Sequence, residues 1–307
     1  MPIIAYRDDN ALLAPCFVRR DYAPLRERIL AERDTLTDCL EEGGELFGFR
    51  VTRNNPVSAL YGMEVRVVRF EFSRVSTAHD EHQLALLRTL CERLSGVMTG
   101  ADAYFNVRLP LHILDLMTAF QQCCPPAFFC GGTMEYVQIG EQHRFPQDPG
   151  LSIRMADRDY CRVHRETLCR IAYESFDSYQ GQYHIAPALQ DKAALVYRNW
   201  IDGAFADYRE DTVLVAELNG APAGFLLLGQ TETAVDALLG CVDASARKAG
   251  AFRALFRAAN ELAEHTGRVY VSSTQLDNFV SAGTMTSLGM RPFYGIYNYH
   301  FDHRGGN

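Results

Sequence analysis

From Val235 to Val242 apolar residues crowd the chain without a helical period, and from Phe252 to His265 they return every three or four positions. The first pattern predicts a buried strand and the second an amphipathic helix. Between them lies a polar connection with one glycine, Gly250, so the stretch is a strand-loop-helix junction. The rest of the second half follows the same logic. Leu151 to Arg154 predicts a short strand. Asp157 to Tyr173 predicts a helix with Asp157 and Asp159 as candidate caps. Tyr173 to Pro187 is aromatic and polar without a period and predicts a loop. Leu189 to Phe205 predicts a helix, with Trp200 on its apolar stripe. Thr212 to Leu218 and Ala223 to Leu228, joined by Asn219-Gly220, predict a β-hairpin. A strand at Val269 to Ser273, a helix around Asn278 to Leu288 and terminal strands around Phe293 to Phe301 complete this half.

The first half alternates in the same way. Helices are predicted at Tyr22 to Arg33, His82 to Leu94 and Leu111 to Gln122, and strands at Leu46 to Val51, Glu64 to Phe72, Ala103 to Arg108 and near Thr133 to Ile139. Strands covered by helices bury both, so the chain is expected to be an α/β protein of the α+β kind. The polar stretch Gln142 to Gly150, with two prolines, places an expected domain boundary between residues 1–146 and 147–307.

Composition narrows the picture. At 307 residues the chain is long enough for two domains. It has no run of about 18 apolar residues, and Met1 to Asp9 lacks the order of a signal peptide, so a cytoplasmic location is expected. Nine cysteines without a paired framework agree with a reducing compartment. A net charge of -8 argues against general nucleic-acid binding, yet a local loop can still hold a phosphate. No metal site is expected, because Cys161 and His164 stand one helical turn apart with no second pair nearby.

The candidate chemistry centres on Arg247-x-x-Gly250-x-Phe252. Free backbone N–H groups at the mouth of a helix suit an anion, but the spacing is neither the Rossmann nor the Walker pattern. It resembles the pyrophosphate loop of the GNAT superfamily of acyl-CoA transferases, Arg/Gln-x-x-Gly-x-Gly/Ala. Phe252 departs from it where the family has a small residue that lets the backbone close on the pyrophosphate. The order of elements in the second half is also the GNAT order. Ser175-Phe176 with Tyr183, Tyr197 and Trp200, and Ser273-Thr274-Gln275-Leu276-Asp277-Asn278 followed by Leu288-Gly289, resemble GNAT members that acetylate a dTDP-linked amino sugar. In the first half, Phe47-Gly48-x-x-Val51-x-Arg53 and Phe105-Asn106-Val107-Arg108 resemble their amino-terminal region more loosely.

The resemblance implies a GNAT fold in the carboxy-terminal half, preceded by a degenerate, partial GNAT-like domain. It implies acetyl-CoA as cosubstrate, a small-molecule amine acceptor such as a nucleotide sugar, and a homodimer as a possible assembly. By that resemblance the oxyanion of the tetrahedral intermediate would meet the N–H of Val242 or Cys241. The pyrophosphate would lie over Arg247, Lys248, Ala249, Gly250, Ala251 and Phe252, and Asn278 would bond the pantetheine arm. Phe176, Tyr183, His184 and Tyr197 would face the acceptor. The family's tyrosine acid falls seven residues after Asn278, at Met285 on the cofactor side, and methionine donates no proton. Tyr294, Tyr297 and Asp277 are then the candidates to replace it. Simpler roles stand beside these: Arg247 as a solvated charge, Asn278 as a helix cap, Trp200 as core. Two other readings remain open, a GNAT acyltransferase acting on an amino acid, peptide or antibiotic amine, and a non-catalytic protein that keeps the fold.

Overall fold

The computed structural model describes residues 3–143, 145–177, 179 and 181–304. In chain order the elements are β1 (Ile3–Arg7), α1 (Asn10–Arg19), α2 (Ala23–Ala31), β2 (Asp38–Glu42), β3 (Glu45–Arg53), α3 (Asn55–Tyr61), β4 (Val65–Ser76), α4 (Glu81–Thr99), β5 (Tyr104–Pro110), α5 (Leu114–Cys123) and β6 (Phe128–Gln138). They continue with β7 (Leu151–Met155), α6 (Arg158–Asp177), α7 (Gln182–Ile185), α8 (Ala193–Ala206), β8 (Val213–Leu218), β9 (Ala221–Gln230), β10 (Ala234–Val242), α9 (Ala251–His265), β11 (Val269–Gln275), α10 (Phe279–Ser287) and β12 (Met290–Asp302). Most of the expected strands and helices are present within a few residues. The expected loop after Tyr173 is helical for four more residues and again over α7. Elements β1 and α1 escaped the periodicity, because one is five residues long and the other carries Pro15 inside it. Trp200 is 43% exposed rather than core.

The chain divides into two compact units, neither of them one continuous segment. The first comprises 1–134, 181–189 and 294–307, and the second 135–180 and 190–293. A single cut at 146/147 therefore does not coincide with them. Leaving aside α3 and α7, the strand-helix-helix-strand-strand-strand-helix-strand-helix-strand order from β1 to β6 recurs from β7 to β12.

In the first unit the strand order is β2-β3-β4-β5-β12, and the core rings include Phe49, Phe70 and Phe72, all fully buried. The glycine of the Phe47-Gly48 motif sits where a Cβ would lie 2.6 Å from Leu36 Cδ1 and 3.1 Å from Cys39 Cβ, so only glycine lets β2 and its approach pack down. Strands β4 and β5 run parallel, with rungs from Val65↔Tyr104 to Arg69↔Arg108, and then separate. Beyond the split, β1 pairs antiparallel with β4, with rungs such as Arg7↔Glu71 and Tyr6↔Phe72. Glu71 and Phe72 already pair with β3 on their other edge, so β1 occupies the edge that β5 leaves.

Charges fasten β1 in this position. The Asp8 carboxylate, 2% exposed, meets Arg108 Nε at 2.8 Å and Arg69 Nε at 3.6 Å, the two arginines of the last rung. The Tyr294 hydroxyl donates to Asp8 Oδ1, and Tyr6 and Tyr294 share a hydroxyl hydrogen bond of 2.9 Å. One residue earlier, Arg7 pairs with Glu71 and Glu32. Two guanidinium groups side by side repel, and burial together with Arg108 lowers the pKa of Arg69. Asp8 relieves that repulsion.

The segment 181–189 joins this unit through Gln182, whose Oε1 accepts from Asn106 Nδ2 at 2.9 Å and lies 3.4 Å from His300 Nε2. His300 is fully buried, with Nδ1 2.9 Å from the Tyr104 hydroxyl. In the second unit the order is β7-β8-β9-β10-β11, and Asp157, not Asp159, caps α6 by accepting from Tyr160 N at 2.7 Å. Among the described residues no helix is long and apolar enough to cross a membrane.

Removing the Asp8 charge should leave Arg69 and Arg108 adjacent without their shared counterion. We expect Asp8→Asn to lower the unfolding free energy in urea by roughly 2–3 kcal/mol, discounted because both arginines are partly exposed. Burial drives the pKa of His300 down to about 3, so the unfolded chain takes up a proton that the folded protein refuses. The stability is full above a pH of about 6.5 and falls as pH drops toward the folded value. Between a pH of about 7 and about 5, wild type should lose about 2 kcal/mol more than His300→Gln; equal losses would show that His300 does not titrate this way.

Candidate functional site

The second unit contains the same parallel split, left open. Strands β10 and β11 pair from Ala234↔Val269 to Ala237↔Ser272 and then separate, although β10 continues to Val242 and β11 to Gln275. The cause lies on the other edge of β10. A β-bulge between Ala237 and Leu239 shifts its register against β9 and leaves Leu238 extra and 42% exposed, and a bulge bends and twists its strand. Among the described residues no further strand takes the edge of β10 beyond Ala237.

Backbone alternation shows which groups face this fork. Asp243 N donates to Ala223 O at 2.8 Å, toward β9. Residues two apart along a strand face the same side, so Cys241 and Leu239 also direct their N–H groups to β9. Those of Gly240 and Val242 point into the fork. Of the two expected donors, Val242 thus faces the opening and Cys241 does not. Gly240 was not foreseen, although an isolated glycine inside a strand pattern is a sign of a bulge or a close backbone approach.

The two faces of β10 meet different helices. A Cβ on Gly240 would lie 3.5 Å from Phe252 Cε2 of α9, whereas the Ser175 side chain of α6 lies near enough to the Cys241 thiol to lower its pKa. Neighbouring residues of a strand point to opposite faces, so α6 and α9 lie on opposite sides of the sheet. Burial pushes the Cys241 thiol up to about 12, against the pull of Ser175 and Arg247, which keeps it protonated and unsuited to nucleophilic attack. The nearest atom to a Cβ on Gly240 would be Leu226 Cδ1 at 2.6 Å, with the Phe252 ring at ordinary contact distance, and that ring packs on Phe256 at 4.6 Å. Phe252 therefore lies against the sheet beside Gly240.

After Val242 the chain forms a short 3₁₀ helix, Ala244–Ala249, and turns into α9 through Gly250 at φ 80°. That left-handed conformation favours glycine. No side chain caps α9, so its first-turn N–H groups lack intrahelical acceptors. Arg247 and Lys248 are exposed beside them. Asp243 accepts from the backbone and hydroxyl of Ser245, which lowers its pKa, with Arg170 3.5 Å away. Chain before β7 lies along the start of α9, with Phe145 under the Arg253 guanidinium at 4.5 Å and Gln147 bonded to Arg257 at 3.2 Å. The corresponding connection in the first unit, Thr77–Asp80, has no glycine, and Asp80 N donates to the buried Asp115 carboxylate at 3.0 Å. An internal anion already sits there.

At the far end of the fork, Asn278 caps α10 by accepting from Ser281 N at 3.1 Å, and Asp277 beside it is exposed. Met285 is 1% exposed, so position 285 belongs to the core. Phe176 and Tyr197 stack at 4.1 Å, and Tyr179 meets both edge-on at 5.4 and 6.1 Å. Four expected residues belong to the first unit: Tyr183; His184; Tyr294, bonded to Asp8; and Tyr297, packed on Phe129 at 5.3 Å. Tyr179 escaped sequence reasoning, its only signal being the aromatic content of an irregular stretch.

No family model matches the chain, and no curated protein sequence matches it. Solved structures do. A GCN5-related N-acetyltransferase from Sphaerobacter thermophilus aligns with a TM-score of 0.57 at 13% identity, covering 99% of this chain and 97% of that one. A tandem GNAT protein from the clavulanic acid biosynthesis pathway gives 0.52 at 11% identity, covering 100% and 99%. A GCN5-related N-acetyltransferase from Kribbella flavida gives 0.51 at 11% identity, covering 93% and 96%. At such identities the likeness is one of fold, and the fold is GNAT-like α/β.

Because the half-buried Phe252 ring packs on Phe256 beside Gly240, Phe252→Ala should open a cavity. We expect a loss of about 2 kcal/mol in urea unfolding, below the range for a fully buried phenylalanine because the ring is half-buried; an unchanged midpoint would mean that the ring does not pack there.

Proposed function

We propose that the second unit binds acetyl-CoA in the β10/β11 fork and transfers its acetyl group to the amine of a small molecule. The observation that carries this reading is the fork itself: two backbone N–H groups, at Gly240 and Val242, directed into an open split whose strand leads into an uncapped helix N-terminus flanked by Arg247 and Lys248. A pantetheine arm, an extended chain with amide groups, suits an unpaired strand edge. The diphosphate suits the Arg247–Phe252 turn, and Arg253 and Arg257 lie within reach of the nucleotide end. In the first unit the same split is filled by β1 and the same helix mouth by Asp115. We read that unit as a degenerate GNAT-like domain that holds no acyl-CoA.

In the reaction the neutral amine nitrogen attacks the thioester carbonyl carbon. Charge builds on the carbonyl oxygen, where pre-aimed N–H groups of Gly240 and Val242 stabilise it without reorganising. The carbon–sulfur bond then breaks with its electron pair on sulfur, and the amine loses a proton to solvent. As acceptor we propose the amine of a nucleotide-linked amino sugar, on the resemblance at Ser175-Phe176 and Ser273 to Asn278. One observation favours a second reading, an amino acid, peptide or antibiotic amine: Tyr197, expected to face the acceptor, is buried. Fewer acceptor-side residues then remain to support the sugar.

Calorimetric titration with acetyl-CoA tests the binding step. We expect binding by wild type and at least a tenfold weaker affinity for Arg247→Glu, a difference of about 1.4 kcal/mol or more. Absence of binding by wild type would overturn the reading. Given binding, faster turnover of a dTDP-amino sugar than of free amino acids would support the first acceptor, and the reverse the second.

A further inference from the structure

A row of positive charge crosses the sheet of the first unit. The pairing of β3, β4, β5 and β12 sets Arg50 opposite Arg69, Arg69 opposite Arg108 and Arg108 opposite Asn298. Register partners share a face of the sheet. Three guanidinium groups and one amide therefore stand side by side, with strands about 4.8 Å apart. Two carboxylates meet the row. Glu71 takes Arg50 at 3.0 Å but is divided with Arg7, and Asp8 meets Arg108 and Arg69 through their Nε atoms at 2.8 and 3.6 Å. Burial first and Arg108 second lower the pKa of Arg69, and the pull of Asp8 is smaller than the push of Arg108. The row keeps an excess of positive charge.

Its surroundings hold it ready for an anion. Arg69 donates through Nη1 to Thr52 at 3.2 Å. Asn298 is 1% exposed, and among the described residues its Nδ2 has no hydrogen-bond partner. A buried donor without an acceptor is costly. One row along, Asn106 stands opposite His300, and Gln182 meets both, at 2.9 and 3.4 Å. Gln182 thus covers that row, whereas the side chains of Arg69 and Arg108 stay 35% and 25% exposed. A ligand can reach them from solvent.

We propose that the Arg69–Arg108–Asn298 row of the first unit, with Arg50 beside it, binds the carboxylate of a small molecule. The same two arginines already receive one carboxylate, that of Asp8, along their Nε edges, so their spacing suits a second at the guanidinium ends. Carboxylate oxygens match guanidinium N–H groups in plane and in pairs, and the Asn298 amide adds a donor. A monoanion answers the charge that Asp8 leaves over. Every residue of the row belongs to the first unit, so the site stands whether or not the second unit binds acetyl-CoA.

Acetate is the probe, titrated onto the intact protein at constant ionic strength and read by the transverse relaxation of its methyl protons. Wild type should bind acetate saturably and should not bind acetamide, which has a similar shape without the charge. Arg69→Gln and Arg108→Gln should each weaken acetate by about tenfold or more, the loss of one charged hydrogen-bonding partner. Asp8→Asn should act in the opposite sense. It costs stability, yet removing a negative charge from beside the bound anion should tighten acetate by about tenfold. A cluster with a purely structural role would not show that gain. Urea unfolding establishes that each variant is folded; should Arg108→Gln fail to fold, Arg69→Gln, the more exposed arginine, carries the test. No saturable binding by wild type, equal binding of acetate and acetamide, or unchanged affinity in a folded arginine variant or a folded Asp8→Asn would overturn the site. Inorganic phosphate that competes with acetate and binds more tightly would overturn the assignment of a carboxylate.

Discussion

Two parallel strands that stop pairing leave a row of backbone N–H groups along each exposed edge, and such groups require partners or water. This constraint governs both units of the chain. In the first, β4 and β5 separate after Arg69↔Arg108 and β1 takes the free edge of β4. In the second, β10 and β11 separate after Ala237↔Ser272, and the edge of β10 stays open among the described residues. One architecture thus gives a closed seam in one unit and an open edge in the other.

The charges follow the same division. Asp8 ties β1 to the two arginines at the closed split, and Asp115 holds the backbone at the start of α4. Both act as internal anions where an anionic ligand would otherwise be drawn. The loop after the open split exposes Arg247 and Lys248, and the carboxylate of Asp243 is satisfied by Ser245 and Arg170. A protein with net charge -8 can still present a basic helix mouth, since field strength at a site depends on groups within about one Debye length, roughly 8–10 Å.

The strand-loop-helix junction was legible because its signals are local. An apolar run, a single glycine and a 3.6-residue period place a strand, a left-handed turn and a helix without reference to anything distant, and Gly250 at φ 80° is that turn. Asn278 as a cap is legible for the same reason, since the bond it makes reaches only three residues along the chain. That the Phe252 ring lies on Phe256 and beside Gly240 was not legible, because Gly240 is on another element. Trp200 was misplaced because a position on an apolar stripe does not reveal whether anything covers it.

By itself the sequence determined which stretches are strands and helices, where the strand-loop-helix junction falls and that the second half follows the GNAT order, because period and capping act over a few residues. Only the tertiary structure decided which parallel split is filled, that Val242 and Gly240 rather than Cys241 face the opening, that Tyr183, His184, Tyr294 and Tyr297 belong to the first unit, and that Tyr179 meets Phe176 and Tyr197 edge-on. Each of these depends on which strand occupies an edge or on how a bulge sets alternation. Edge occupancy is a competition between segments far apart in the chain, and no local pattern records its outcome.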